Sequence, residues 1–209
     1  MNLLPVATAK TPVMRKLRTI EMHRLSVQQF KDAHKLPLIV VLDDVRSLYN
    51  VGSVFRCGDA FRVEGVYLCG ITACPPNAEI HKTALGGEDS VDWRYFANTE
   101  DAVCVLHDKG FFVWSVEQVE NSTKLQHLAG VLAQKVVTEV PQGYAIILGN
   151  EVKGVKQTVV DMSDGCLEIP QFGTKHSLNV STTAGIVIWE FAKAFLTEDL
   201  PSTAPFSKE

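Results

Sequence analysis

The sequence predicts a single α/β domain with a mostly parallel sheet flanked by helices. The chain has 209 residues, of which 46% are hydrophobic, and this suits one well-filled core. Short continuous apolar runs recur along it, the pattern of strands buried on both faces of a parallel sheet. Segments with helical spacing of apolar residues separate these runs, as expected of right-handed βαβ units.

The first 36 residues are predicted to form a basic helical extension. Residues 1–12 contain two prolines and few large apolar side chains, which predicts a loose tail. Helix is predicted over 13–35. Ser26 begins a Ser-Val-Gln-Gln string that matches a capping box, so a second helix is expected to start there.

A first strand–helix–strand unit follows the extension. The apolar run 38–42 predicts a central strand that ends at Asp43 and Asp44. A helix is expected over about 45–61, with Val54 and Phe55 on its core-facing side. The run 65–70 then predicts the second strand.

The same alternation continues through the rest of the chain. The predicted elements are a short helix and Gly-Gly turn over 75–90, a strand at 91–96, a helix from Asn98 or Thr99 to about Lys109, a strand at 111–116, a surface loop with a short helix over 121–143, a strand at 144–148, another short helix, a strand at 166–169 and a long helix over 177–196. Pro170 stops the last strand because it has no N–H to donate. A short tail covers 198–209.

Three polar blocks each follow a predicted strand, where open α/β sheets bind ligands. They are Asn50-x-Gly52-x-x-x-Arg56, Gly149-x-Glu151-x-x-Gly154, and Ile169-Pro170-x-x-Gly173 followed by Ser177-Leu178-Asn179-Val180-Ser181. Each block taken alone is also compatible with helix caps and ordinary surface charges. The second block lacks the Lys-Ser/Thr pair of a phosphate loop and the glycine spacing of a dinucleotide fingerprint.

Together the blocks resemble the three signatures of the SpoU/TrmH family of RNA ribose 2′-O-methyltransferases, in the SPOUT superfamily. The resemblance covers about residues 38–195, and 81–88 is similar to a further family region. It implies that residues 37–197 form a methyltransferase domain with a C-terminal trefoil knot. It also implies S-adenosyl-L-methionine as cofactor, with no metal.

The resemblance also assigns roles to individual residues. Arg56 is expected to bind a phosphate and stabilise the developing alkoxide, because arginine is hardly ever deprotonated, although family proposals make it the base. The other expected catalytic residues are Asn50 and Asn179, which orient Arg56 or the ribose, Glu151, which holds the loop or Asn50, and Ser177, which contacts the nucleotide. The expected cofactor-binding residues are Gly149, Gly154, Ile169, Leu178, Val116 and Glu117.

The net charge of the chain argues weakly against RNA as partner, but the distribution of charge along the chain favours it. Net charge is −4, but residues 1–36 carry seven Lys and Arg against two acids, which leaves the remainder at −9. RNA is therefore expected to dock on Arg15, Lys16, Arg18 and Arg24, while a solvated basic helix without a partner is equally compatible. Single-domain members of the family that this chain resembles mostly modify tRNA, so with its short extension the resemblance implies tRNA as substrate, with ribosomal RNA second.

Assembly and location follow from the remaining features. The apolar residues of the predicted last helix spread beyond one stripe, so a homodimer through this region is expected. They include Ile188, Trp189, Phe191 and Phe195. The alternative is an intramolecular site covered by the N-terminal helices. Five cysteines without a Cys-x-x-Cys indicate reduced thiols and a cytoplasmic protein, and no apolar run is long enough for a membrane span.

Two other classes of protein are compatible with parts of this pattern. A family member that binds RNA without catalysis would share the fold, but all the motif residues of catalysis are present. A nicotinamide or flavin oxidoreductase would use a similar sheet, but no Gly-x-Gly-x-x-Gly follows a strand. The six histidines lack metal-ligand spacing.

Overall fold

The computed structural model describes residues 14–138 and 140–196. Its centre is a seven-stranded sheet in the order β3-β2-β1-β6-β4-β7-β5, and every pairing in it is parallel. The strands are β1 (Leu36–Asp43), β2 (Val63–Cys69), β3 (Trp93–Phe96), β4 (Phe111–Val116), β5 (Thr123–Lys124), β6 (Gly143–Leu148) and β7 (Gly165–Glu168). The predicted α/β architecture with a mostly parallel sheet is confirmed.

Helices cover both faces of the sheet. They are α1 (Val27–Asp32), α2 (Leu48–Ala60), α3 (Ala78–Ala84), α4 (Gly87–Ser90), α5 (Thr99–Asp108), α6 (Leu128–Thr138), α7 (Gln157–Met162) and α8 (Val180–Leu196), with single 3-10 turns at Thr19–Met22 and Leu125–His127. Alternate residues of β1 point into two cores: Val40 and Leu42 pack with α2 and α8, whereas Val41 packs with α5 and α7. Burial on both faces explains the continuous apolar runs.

The N-terminal prediction is wrong in part. Instead of helix over 13–35, the described residues form only the turn at Thr19–Met22 and the six-residue α1. No residue from Met14 to Gln29 is buried, and Leu25 alone in this range packs partly buried against the main core. A longer helix would therefore gain little from packing, and isolated short helices are marginal in water. The predicted loose tail, 1–12, lies outside the described residues.

The capping box at Ser26 is confirmed. The Gln29 N–H donates to Ser26 Oγ at 3.2 Å, and the Ser26 N–H donates to Gln29 Oε1 at 2.9 Å. Phe30, one residue further along α1, is buried in the main core. The sequence thus predicted the start of α1, and α1 is the part of the extension that anchors it to the body.

The last helix starts three residues later than predicted, at Val180. Asn179 precedes it and caps it, because Asn179 Oδ1 accepts hydrogen bonds from the backbone N–H groups of Ser181 at 2.9 Å and Thr182 at 3.4 Å. Trp189 stays 45% exposed although its ring lies 5.8 Å from that of Phe61. The predicted tail, 198–209, lies outside the described residues.

The order of strands gathers the three polar blocks. Strands β1, β6, β4 and β7 are consecutive neighbours, and in a parallel sheet their carboxyl ends meet at one edge. The first block follows β1, the second follows β6 and the third follows β7. Residues separated by more than a hundred positions in the sequence therefore lie at one edge of the sheet.

Candidate active site

A cavity of about 440 Å³ opens at the carboxyl edge of the sheet, between the loops that follow β4, β6 and β7. All six predicted cofactor-binding residues line it, and so do two of the predicted catalytic residues. These lining residues are Val116, Glu117, Gly149, Glu151, Gly154, Ile169, Ser177 and Leu178. Asn50, Arg56 and Asn179 do not line the cavity.

The loop after β6, residues 149–155, forms a tight turn. The Asn150 N–H donates to the Gly154 carbonyl at 3.0 Å, and the Gly154 N–H donates back to the Asn150 carbonyl at 2.8 Å. Gly154 has a φ of +70°, which glycine adopts without strain. At Gly149 a Cβ would meet the Gly154 carbonyl carbon and the Val155 nitrogen at 2.1 Å. The turn therefore requires glycine at both positions of the block.

Side chains tie this turn to two other strands. Asn150 Nδ2 donates to the Asp44 carbonyl, after β1, at 2.8 Å. Glu117, after β4, accepts the Val155 N–H on Oε2 at 3.0 Å. Lys156 Nζ pairs with Asp44 Oδ2 at 2.7 Å, and this contact raises the pKa of Lys156. The turn is thus held at both ends before any ligand binds.

The opposite wall of the cavity is the segment that follows β7. Gln118 Nε2 donates to the His176 carbonyl at 2.7 Å, which fastens this segment to the end of β4. Ser177 and Leu178 follow His176 and line the cavity. Every residue from 171 to 179 is exposed, so this wall is the outer one.

A chain of side-chain hydrogen bonds joins all three blocks. Asn50 is only 6% exposed; its Nδ2 donates to Glu151 Oε1 at 2.9 Å, and its Oδ1 accepts from Asn179 Nδ2 at 3.1 Å. Asn179 in turn accepts from Ser181 Oγ at 2.6 Å. The amide of Asn50 therefore has a fixed orientation, because its donor faces a carboxylate and its acceptor faces an amide.

Glu151 is the anchor of this chain. Besides Asn50, its carboxylate accepts the backbone N–H groups of Arg46 and Ser47, both at 3.0 Å. Burial alone would raise the pKa of Glu151, but the two backbone donors and Asn50 outweigh burial and lower it. Glu151 is therefore an ionised hydrogen-bond acceptor at neutral pH, in the position expected for holding Asn50.

Arg56 lies apart from the rest of the block. Asn50 and Arg56 both lie within α2, so no loop before the helix brings their side chains together. Six residues along a helix place two side chains about 120° apart around its axis. Arg56 is exposed and forms no ion pair with a described residue.

The four predicted RNA-binding residues divide into two pairs. Arg15 forms a bidentate pair with Glu21, at 3.0 and 2.8 Å, and Arg18 Nε lies 3.6 Å from the same carboxylate. The contact with Arg15 is the main cause that lowers the pKa of Glu21 to about 2. Lys16 and Arg24 are exposed and form no ion pair with a described residue.

Sequence reasoning missed Asn150, Gln118 and Lys156, the side chains that shape the cavity. Asn150 stood inside the second block and could have been singled out there. Gln118 and Lys156 carried no motif, because each acts through a tertiary hydrogen bond or ion pair. Within the described part of the chain, no cluster of side chains could hold a metal ion, and no helix has the length and hydropathy to cross a bilayer.

Comparison with known proteins places the chain next to RNA-modifying enzymes. A family model described as the SpoU rRNA Methylase family matches residues 37–189. A Staphylococcus aureus protein assigned to the TrmH family of tRNA/rRNA methyltransferases is 27% identical over 164 residues, which are 78% of this chain and 62% of that protein. The 23S rRNA (guanosine-2′-O-)-methyltransferase RlmB of Vibrio parahaemolyticus is 28% identical over 75% of this chain and 59% of its own. This chain thus spans about 60% of the length of these curated relatives.

Solved structures show the same fold. The TrmH/SpoU tRNA modifying enzyme of A. aeolicus superposes with a TM-score of 0.67 at 22% identity, over 80% of this chain and 81% of that one. The AdoMet-bound rRNA methyltransferase of Sinorhizobium meliloti gives 0.66 at 25% identity, over 80% and 61%. In both superpositions the matched part is about four-fifths of this chain.

Proposed function

The chain belongs to the SpoU rRNA Methylase family, and from that premise we propose that it transfers a methyl group from S-adenosylmethionine to a ribose 2′-OH of RNA. The observation that carries the proposal is the hydrogen-bonded chain Glu151–Asn50–Asn179, which joins the three blocks beside the cavity. The AdoMet-bound structure of the Sinorhizobium meliloti relative supports the choice of cofactor.

The cavity fits such a cofactor. Its volume of about 440 Å³ lies in the range of about 300–1,000 Å³ usual for small-molecule sites. Val116, Ile169 and Leu178 supply apolar walls, and the turn around Gly149 exposes backbone groups to the ligand. When bound, S-adenosylmethionine supplies a methyl group on a cationic sulfur, which is electrophilic enough to react without a metal.

The residues of the chain position the acceptor. Glu151 accepts three N–H donors, and its pKa is lowered, so it is a poor base and serves to fix Asn50. Arg56 offers a planar guanidinium with five N–H donors. We assign it to a phosphate next to the target ribose, where it also stabilises the alkoxide that develops as the hydroxyl proton leaves to solvent.

The RNA class is assigned as tRNA first and ribosomal RNA second. The A. aeolicus tRNA modifying enzyme is the neighbour of similar size, since the match covers 81% of that chain. The Vibrio parahaemolyticus and Sinorhizobium meliloti relatives act on ribosomal RNA by their names. Mass spectrometry of both RNA classes from a deletion strain discriminates, because only the true substrate loses a 2′-O-methyl group.

The proposal includes the domain plan and the assembly. Residues 37–197 would form the methyltransferase domain, with its C-terminal segment threaded as a trefoil knot, after an extension at 1–36. The contact of Gln118 with the His176 carbonyl supports close threading there.

Partial exposure of Trp189 supports a homodimer through α8, for which light scattering must give about twice 23.0 kDa. Free thiols at all five cysteines support a cytoplasmic location.

Methyl transfer tests the function directly. We expect label from S-adenosylmethionine to enter RNA and to protect the adjacent phosphodiester from alkali, because a 2′-O-methyl group removes the attacking hydroxyl. Arg56→Ala must reduce turnover at least a hundredfold without changing the melting temperature, because the side chain is exposed and unpaired with described residues. Arg94→Ala, on the edge strand β3, is the control outside the three blocks, and its melting temperature is measured in parallel because Arg94 lies 4.5 Å from the centroid of the Phe96 ring. Binding of RNA and cofactor without any transfer would instead establish the non-catalytic class.

A further inference from the structure

We propose that four exposed residues at the mouth of the cavity form a docking surface for an unpaired stretch of RNA, with Phe172 stacking on a base. This mouth surface consists of Arg46, Lys153, Phe172 and Lys175. The inference rests on the proposed function and adds what that function leaves open, namely the conformation of the substrate and the residues that receive it.

The cations of the mouth surface lack the carboxylate partners that several lysines elsewhere in the described chain have. Lys31, Lys82 and Lys193 are held by carboxylates at 2.8, 2.6 and 2.8 Å. By contrast, the side chains of Arg46, Lys153 and Lys175 are exposed and form no ion pair or hydrogen bond with a described residue.

These cations surround one opening. Arg46 lies in the loop after β1, and its backbone N–H donates to Glu151, which lines the cavity. Lys153 belongs to the turn after β6 and itself lines the cavity. Lys175 precedes His176, a lining residue of the outer wall.

The charge of the whole chain makes this placement informative. Residues 37–209 carry a net charge of −9, so unpaired cations do not follow from an excess of basic residues. Three of them stand around one opening, whose interior is lined by the carboxylates of Glu117, Glu151 and Glu168. A polyanion is therefore attracted to the rim of the opening and not to its interior. Polynucleotide phosphates fit this pattern better than a single small anion, because the cations come from three separate loops.

Phe172 supplies the second observation. Its side chain is 97% exposed, yet it follows Gln171, which lines the cavity. Aromatic rings beside unpaired cations are the combination that binds single-stranded nucleic acid, because rings stack on bases while cations hold phosphates.

This chemistry selects unpaired RNA. A base inside a duplex has both faces covered by its neighbours, so it offers no face to Phe172. A loop or an end can splay its bases outward and bring one ribose to the cavity. We therefore assign the mouth surface to a loop or single-stranded segment, whichever RNA class carries it.

Binding of short oligoribonucleotides tests the assignment. Fluorescence anisotropy would compare an unstructured twelve-nucleotide RNA with the same strand in a duplex, using the full chain and several salt concentrations. We expect Phe172→Ala and Phe172→Leu to weaken binding of the single strand by about tenfold or more, because both remove the stacking ring. Lys153→Gln with Lys175→Gln should flatten the salt slope by about 1.4, since each phosphate contact with a single strand contributes about 0.7.

Matched controls make the result specific. Lys31→Gln with Lys193→Gln removes two lysines that are already ion-paired, and the salt slope should stay at the wild-type value. Affinity for S-adenosylhomocysteine must be unchanged in the Phe172 variants and in Lys175→Gln alone, because neither residue lines the cavity, and this shows that the cavity is intact.

Three outcomes would overturn the inference while leaving the proposed function in place. The first is wild-type RNA affinity in Phe172→Ala, and the second is equal affinity of the wild-type protein for duplex and single strand. The third is a change of mass in light scattering for Phe172→Ala, which would assign Phe172 to contact with a second copy of the chain. The proposed function fails by a different result, the absence of methyl transfer by the wild-type protein.

Discussion

Gly149 shows the strictest requirement of any single residue at the site. A methyl group there would overlap the backbone at residues 154 and 155, so the turn must open to accept it. We expect Gly149→Ala to abolish measurable binding of S-adenosylhomocysteine in calorimetry. Gly130→Ala is the control, because a Cβ at Gly130 meets nothing within 4 Å, and it should raise stability by about 0.5–1 kcal/mol. Normal binding by Gly149→Ala would show that the turn adapts.

Glu151 makes a prediction about pH. Its pKa is lower in the folded chain than in the unfolded one, so its ionised form stabilises the fold above the ordinary glutamate pKa of about 4.3. This contribution is lost as pH falls through the lower, folded value. Glu151→Gln should therefore reduce the free energy of unfolding by about 1 kcal/mol at pH 7, for the lost charge-assisted hydrogen bonds, and by progressively less below pH 4.

Urea unfolding of both proteins between pH 3 and pH 7 measures this difference. Glu120→Gln serves as the control, because Glu120 is exposed and forms no hydrogen bond with a described residue. A deficit in Glu151→Gln that is constant across this range of pH would contradict the role of the carboxylate charge.

Helix α8 depends on Asn179 in two separable ways, as a cap and as a partner of Asn50. Asn179→Ala removes both roles and should lower the melting temperature by about 2–4 °C, equivalent to about 1 kcal/mol in a chain of this size. Asn179→Asp keeps an oxygen for the cap but loses the Nδ2 donor to Asn50. It should melt like the wild type yet lose most of its turnover. Full turnover in Asn179→Asp would show that Asn179 acts only as the cap of α8.

Elements that are buried on both faces were predictable from sequence, and exposed ones were not. The apolar runs of β1, β4 and β6 located those strands within two residues. Strand β5, by contrast, is only Thr123–Lys124, too short and polar to give a signal. The segment before α1 contains helix-forming residues, but none of them is fully buried. Helix propensity alone therefore gave a wrong prediction of helix there.

Part of the candidate site was likewise predictable from the sequence, and part was not. Spacing and resemblance identified the lining residues around Gly149 and Ile169, because these come from contiguous blocks. The separation of Asn50 from Arg56 around α2 follows from both residues lying within this helix, and the spacing of the motif alone does not report it. The hydrogen bond from Asn150 to the Asp44 carbonyl joins two loops that are far apart in the sequence, so no local pattern predicts it.

For the whole molecule, the N-terminal segment contributes less free charge than its composition indicates. Glu21 already pairs with Arg15 and Arg18, which leaves Lys16 and Arg24 to meet RNA among the four predicted residues. Lys16→Gln with Arg24→Gln should flatten the salt slope of RNA binding by about 1.4, whereas Arg15→Gln with Arg18→Gln should change it by less than half as much. Equal effects of the two double variants would contradict this division.

The position of Glu151 has a consequence for how the two ligands influence each other. The same carboxylate lines the cavity and holds both the Arg46 backbone, in the mouth surface, and Asn50. Any shift of Glu151 on occupation of the cavity must therefore reach the RNA side, which gives the two binding events a coupling free energy. Because such coupling is reciprocal, S-adenosylhomocysteine must change the affinity for RNA by the same factor by which RNA changes the affinity for S-adenosylhomocysteine.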